Sequence, residues 1–354
     1  MIKRIVKCLS ACLVLCLFMS TIANAQSTSE KKNLNEDFKF HLSFNLRFDG
    51  EYITKDNFNE DRDHKSGFSG QYFGLMMNGW ITDKFSYDFR YRLHKKHDGA
   101  SEYFNTVDKA LLEYHVDDNY SLIAGKQVLW IGGYEYDTNP IDAIQWSLFS
   151  GNIACYQIGL SGKYVSNNKK HTIIAQICNS PFTDMNESYN DLFAYNIYWS
   201  GNMNWYNTLF SVNLIEYRPN HYINYIALGN KLVFNKFDIS LDYTNRAASG
   251  QTFLFKDYTL TSRINYHINP KWNLYAEFGY DKNDAQEEGT LNPYDTLVLP
   301  GSEYSSYYAG IEYSPLITKK NNVILHAFCA SNNSKPETYT FNVGVVWYMH
   351  AIDR

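Results

Sequence analysis

Long hydrophobic runs are missing from this chain of 354 residues once its N-terminal end is passed, and the mean hydropathy is −0.41. That excludes a protein that crosses a membrane as helices. Cysteine is scarce too. Of six, Cys8, Cys12 and Cys16 lie in the first apolar stretch, leaving Cys155, Cys178 and Cys329 with no metal-type spacing. A surplus of positive charge is also absent: the formal net charge is −5, and becomes −8 if Lys3, Arg4 and Lys7 are removed with a leader. Nucleic acid is therefore not an expected partner.

The N-terminal end itself has the pattern of an export signal. Lys3, Arg4 and Lys7 precede an apolar run over 8–22, and Ala23-Asn24-Ala25 stands before Gln26. The run is short for a spanning helix, and the Ala-x-Ala ending suits a signal peptidase. Residues 1–25 are expected to be cleaved, with 26–37 a short periplasmic segment, 38–349 the folded body and 350–354 a C-terminal tail.

What the chain has in abundance is aromatic residues, 30 Tyr and 22 Phe, and strict alternation. From Phe38 to Tyr52 the even positions are Phe38, Phe40, Leu42, Phe44, Leu46, Phe48, Gly50 and Tyr52. The odd ones are Lys39, His41, Ser43, Asn45, Arg47, Asp49 and Glu51. A period of two is a strand with one apolar and one polar face. The pattern recurs over 68–82, 85–96, 105–117, 120–128, 153–165, 171–180, 192–199, 205–217, 222–234, 237–247, 255–268, 272–283, 304–314, 322–330 and 338–349. With the first, these make sixteen. Tight links such as Asp117-Asp118-Asn119 and Asn235-Lys236 alternate with longer ones such as 54–67, 97–104, 129–152, 181–191 and 284–303. These features predict an all-β, up-and-down antiparallel transmembrane barrel whose two rims face different compartments, bathed in outer-membrane lipid. Parity does not decide which face of 322–330 points inward.

Sixteen tilted strands enclose an aqueous lumen, so passage of solute is the expected function, and inward side chains set what passes. Parity turns Arg47, Arg90, Arg92, Lys109, Lys163, Lys231, Arg246 and Arg263 inward. It turns Asp49, Glu51, Asp88, Glu113, Asp238, Asp242, Asp257, Glu277, Asp281 and Glu312 inward as well. Arg47 and the Arg90/Arg92 pair lie two strands apart, about 10 Å around the wall, and form either an anion-binding stripe or partners for Asp49, Asp88 and their neighbours. The longest link, 129–152, mixes aromatic and acidic residues: Trp130, Tyr134, Glu135, Tyr136, Asp137 and Asp142. It has enough apolar content to fold, either into the lumen or onto the rim.

Cys155 and Cys178 fall on the inward parity of adjoining strands but are offset, so both a bridge and two packed thiols remain open. The histidines are scattered, with no pair at ligand spacing on one face, and Ser, His and acidic residues share no motif. Neither a metal, a cofactor nor an enzyme is expected.

The segments Gly125-Lys126-Gln127, Gly132-Gly133-Tyr134-Glu135-Tyr136-Asp137, Asn139-Pro140-Ile141-Asp142, Cys155-Tyr156-Gln157 and Gln176-Ile177-Cys178-Asn179-Ser180-Pro181-Phe182 resemble the phosphate-selective porin O and P family of Gram-negative outer membranes. The resemblance implies a homotrimer of sixteen-stranded barrels, with the third loop folded inward as a constriction. It also implies passive diffusion of small hydrophilic solutes, among them phosphate-like anions. The chain departs from that pattern in having ten inward acids against eight inward bases. The competing expectation is a barrel closed by its loops, with a structural or surface-binding role.

Overall fold

The computed structural model describes residues 38–56, 63–94, 106–183, 191–248, 254–284 and 297–353. The expected leader, the 26–37 segment and parts of the long links lie outside the described residues.

Sixteen strands among the described residues close into one antiparallel barrel. They are β1 (Lys39–Asp56), β2 (Asp63–Trp80), β3 (Phe85–Arg92), β4 (Val107–His115), β5 (Tyr120–Val128), β6 (Tyr156–Val165), β7 (His171–Asn179) and β8 (Phe193–Asn202). The second half comprises β9 (Tyr206–Arg218), β10 (His221–Phe234), β11 (Phe237–Ala248), β12 (Asp257–Asn269), β13 (Trp272–Asn283), β14 (Glu303–Ile317), β15 (Asn321–Asn332) and β16 (Glu337–Asp353). Each strand pairs with its sequence neighbours, and β16 closes on β1, so the sheet has no terminal strand.

The tight turns form where short polar side chains satisfy the backbone. Asp117 Oδ1 accepts from Asn119 N and Tyr120 N at 2.8 Å, and Asn269 Oδ1 from Lys271 N at 2.9 Å and Trp272 N at 3.1 Å.

Burial is inverted relative to a water-soluble protein. In β1, Ser43, Asn45, Arg47 and Asp49 are buried, while Phe48 is 52% and Tyr52 46% exposed. In β11, Asp238, Ser240, Asp242 and Thr244 are buried and Leu241 is exposed. A polar interior with an apolar exterior is stable only in lipid. Two aromatic bands mark the interfaces. Near the tight turns, Phe85 pairs with Tyr114 at 4.9 Å between ring centroids, Phe237 with Tyr266 at 4.6 Å and Trp272 with Tyr313 at 4.4 Å. Toward the other rim, Tyr258 lies 5.8 Å from Tyr243 and 5.9 Å from Tyr280.

Several strand boundaries differ from the alternation pattern: β2 begins at Asp63 and not at 68, inside the expected 54–67 link, and β3 ends at Arg92 and not at 96. β16 continues to Asp353, so residues expected as a tail pair with the start of β1, His41 opposite Asp353 and Leu42 opposite Ile352. β6 begins at Tyr156 and not at 153, because a short helix, α1 (Leu148–Asn152), occupies the end of the preceding loop. The structure also resolves the facing of β15: His326 and Phe328 are buried inward, and Leu325 is 45% exposed outward. Phe328 points in because it packs with Tyr275, Tyr308 and loop residue Ile144.

Candidate functional site: the loop across the lumen

The segment joining β5 to β6 lies inside the barrel. Its base is closed by Leu129 N donating to Cys155 O at 2.8 Å. From there it runs along the wall, and lumen-facing groups accept its backbone N–H groups in turn. Trp130 N donates to Gln176 Oε1 at 3.1 Å, Gly132 N to Ser211 Oγ at 2.8 Å, Glu135 N to Asp242 Oδ2 at 2.7 Å and Leu148 N to Asp281 Oδ2 at 2.8 Å. The middle of the segment reaches the opposite wall. Arg47 Nη1 donates to Ile141 O at 3.0 Å and Ala143 O at 2.6 Å, Tyr348 donates to Asp142, and Gln145 Nε2 donates to Tyr304 OH at 2.9 Å. A chain in irregular conformation at membrane depth needs such partners for its backbone groups.

Glycine permits the close approach. A Cβ on Gly132 would stand 2.3 Å from Leu209 O, and one on Gly229 of β10 would stand 2.7 Å from Gly133 Cα. Gly133 itself has φ of 109°, a conformation that a side chain disfavours.

Apolar residues seat the two ends of the loop. Leu129, Ile131, Phe149 and Ile153 are buried in one cluster with inward residues of β9 and β10, among them Ile215, Ile223 and Tyr225. Phe149 meets Tyr225 edge-on at 5.4 Å. One part of the lumen is thus filled by a hydrophobic core, which the polar-lumen pattern did not anticipate.

Glu135 is the hinge of the loop's own polar network. Its carboxylate accepts from Ser147 N at 2.6 Å and from Ser147 Oγ and Ser150 Oγ at 2.8 Å, while Ser147 Oγ caps α1 by accepting from Ser150 N. Burial, with Glu277 close by, pushes the Glu135 carboxyl up to about 8. Burial also raises Asp137 and Asp142 above the ordinary carboxylate range, and raises the Tyr134 and Tyr136 hydroxyls.

Each inward base expected to line the pore carries an acid. Arg47 Nη2 binds Asp49 Oδ2 at 2.8 Å, Lys109 binds Asp88 at 3.1 Å, Lys163 binds Glu113, and Arg263 lies 3.7 Å from Glu277. Arg246 pairs with Asp257 at 2.5 Å, both side chains fully buried. Arg90 and Arg92 share Asp108, at 3.3 and 2.5 Å, and stack over Tyr156 at 5.1 and 5.7 Å. The paired alternative, not the bare stripe, describes these arginines. Asp108 escaped the parity count because a bulge between β3 and β4 sets Arg90 opposite Lys109 and Tyr91 opposite Val107. Residues 108 and 109 then both reach inward-facing partners. Lys126 and Tyr156, which line a cavity of about 320 Å³ beside Arg92, were also not singled out as pore-lining. No disulfide joins Cys155, Cys178 or Cys329. Cys178 stands opposite Gly159, so the register carries Cys155 past it, and the two unbonded thiols pack into the same apolar cluster as Phe149.

A closed sixteen-strand barrel with an inverted surface and a loop folded into its lumen defines a porin-type channel of the Gram-negative outer membrane. The chain belongs to the phosphate-selective porin O and P family, whose model matches residues 40–321. The anion-selective porin from Comamonas acidovorans superposes with a TM-score of 0.60 at 11% identity, over 88% of this chain and all (100%) of that one. The outer membrane channel DcaP of Acinetobacter baumannii gives 0.56 at 13% identity, over 91% and 100%. A trimer form of OmpT, an outer membrane protein of Vibrio cholerae, gives 0.50 at 14% identity, over 87% and 99%. No curated protein matches the chain at a significant level. Family and fold mark a channel for small solutes, not an enzyme.

Proposed function

We propose that the chain passes small hydrophilic solutes by passive diffusion, that loop 129–152 sets the size limit, and that three copies assemble after export through the 1–25 leader. The observation that carries this reading is the loop itself, fixed to both walls by hydrogen bonds that Arg47 and Tyr348 donate to it and that Asp242 accepts from it, with cavities of about 360 and 290 Å³ beside it. Tyr134, Glu135, Tyr136, Asp137 and Asp142 form the constriction, and Arg47, Arg90, Arg92, Lys109, Lys163 and Arg263 line the wall around it. Trimer assembly is supported by the trimer form of the Vibrio cholerae relative. The anion selectivity of the Comamonas porin supports an anionic solute, whereas the acids beside Arg47, Arg92 and Arg263 oppose a bare-arginine path.

The apolar cluster around Phe149 favours a second reading, a barrel plugged by its loop with a structural role. Swelling of liposomes that hold the refolded protein separates the two. A conducting barrel admits arabinose quickly and slows steeply toward disaccharides. No swelling with any sugar leaves the plugged barrel.

A further inference from the structure

The cavities beside the loop differ in charge. On its long-loop side, one of about 290 Å³ is lined by Arg47 and Arg92 against Asp49 and Glu51, a balanced set. On the other side, one of about 360 Å³ against β10 to β14 carries six acids, opposed only by Lys231 and Arg263. A third, of about 320 Å³, lies between the loop and the start of β6. It is lined by Arg92 and Lys126 and, among the described residues, by no carboxylate. Its size suits one small ligand.

Arg92 is only partly engaged. It donates to Asp108 Oδ2 through Nε at 2.5 Å, and among the described residues no hydrogen bond involves its Nη1 or Nη2. Arg90 Nε lies 3.3 Å from the same oxygen, so two guanidinium groups have one carboxylate between them. The Arg92 side chain keeps 15% of its surface accessible. Stacking over Tyr156 at 5.7 Å fixes the guanidinium and leaves its Nη1/Nη2 edge as a two-pronged donor. The aliphatic hydroxyls of the wall are spent on the loop: Thr138 Oγ1 donates to Tyr134 O at 2.9 Å, and Ser150 Oγ to Glu135 Oε2 at 2.8 Å. The rest of the lining is apolar or aromatic, with Trp146 and Tyr156 half-buried and Pro140 and Ile153 beside them.

We propose that this cavity is a binding subsite for small aromatic carboxylates, with the carboxylate on the free edge of Arg92, the Lys126 ammonium adding to the positive field, and the ring against Trp146 and Pro140. Both oxygens of a carboxylate fit one guanidinium edge. Inorganic phosphate carries more oxygens, and those turned away from Arg92 would face the Pro140 and Ile153 side chains, which donate nothing, or hydroxyls whose protons are already given. A flat apolar body gains instead from burial against the rings. The subsite rests on the conducting reading above, narrows its anionic solute to one chemical class, and departs from the phosphate of the family name.

Ligand-observed NMR titration of the refolded protein in detergent with benzoate, acetate and inorganic phosphate, with the signal of empty micelles subtracted, tests the subsite. Single-channel recording of the same preparation reads conduction separately. Benzoate is expected to bind about tenfold more tightly than acetate or phosphate. Arg92→Gln leaves Arg90 to hold Asp108 and is expected to weaken benzoate about tenfold, the loss of a charge-assisted contact. Trp146→Ala, on the loop and outside the ion pairs of the wall, is expected to weaken benzoate several-fold and leave acetate unchanged. Phosphate that binds as tightly as benzoate, or benzoate binding that is equal in wild type and either variant, overturns the subsite. A protein that binds benzoate in the expected pattern but passes no current refutes the conducting reading alone.

Discussion

Arg246 shows how much a single side chain carries in a lumen of this kind. It donates to Asp257 Oδ1 from Nε at 2.9 Å and from Nη2 at 2.5 Å, to Thr259 Oγ1 at 2.6 Å, and lies 5.2 Å over Phe149, the anchor of α1. Removing one member of a buried pair leaves the other charge without compensation. Arg246→Ala is therefore expected to cost on the order of 3–5 kcal/mol, and Arg246→Lys to recover little, because an ammonium cannot bond in the same fork. Thermal unfolding in detergent followed by circular dichroism measures this, and an unchanged midpoint for Arg246→Ala contradicts it. At this scale the sequence pattern did not name the partners of Arg90 and Arg92. Parity identifies which side of a strand a residue faces. It does not reveal a bulge, so Asp108, the common partner of Arg90 and Arg92, was invisible until the register between β3 and β4 was known.

The strands were legible as elements because lipid on one side and water on the other impose a period of two on every one of them. β15 was the exception: its inward Phe328 satisfies the loop, not the lumen water, so its two faces look alike in sequence. The loop was legible as a folded object from its aromatic and acidic content, but its path was not. That path depends on long-range acceptors, Ser211, Asp242 and Asp281, on strands far along the chain, and on glycines at the points of closest approach. Its docking is expected to depend on pH through Glu135, whose carboxyl is raised from 4.5 to about 8. The folded loop holds this proton more tightly than a released one, so the group's contribution is complete below about 4.5. It falls as pH rises and is lost by about 8, where a buried anion faces Glu277. Current fluctuations from loop release should increase over that window in wild type and stay flat in Glu135→Gln. Equal pH dependence in the two proteins contradicts the assignment.

For the whole molecule, charge balance and obstruction are both properties of the assembled barrel. The similar numbers of inward acids and bases were countable from parity, and the structure turns that count into discrete pairs around a nearly neutral long-loop cavity, with the acid surplus concentrated on the far side of the loop. The hydrophobic core that fills part of the lumen forms where the loop meets residues of β7 to β11 together with Leu297 and Val298, so no single strand announced it. The central claim is that the arm of the loop between its apolar anchors narrows a conducting barrel. The most direct test is the single-channel conductance of the wild-type protein against a variant in which residues 138–145 are replaced by a short glycine–serine linker, leaving Leu129, Ile131, Phe149 and Ile153 seated. The account predicts a stable unit current in the wild type and an increase on the order of twofold in the variant, because pore-lining groups set the conductance. An unchanged or smaller unit current in a folded variant would contradict it.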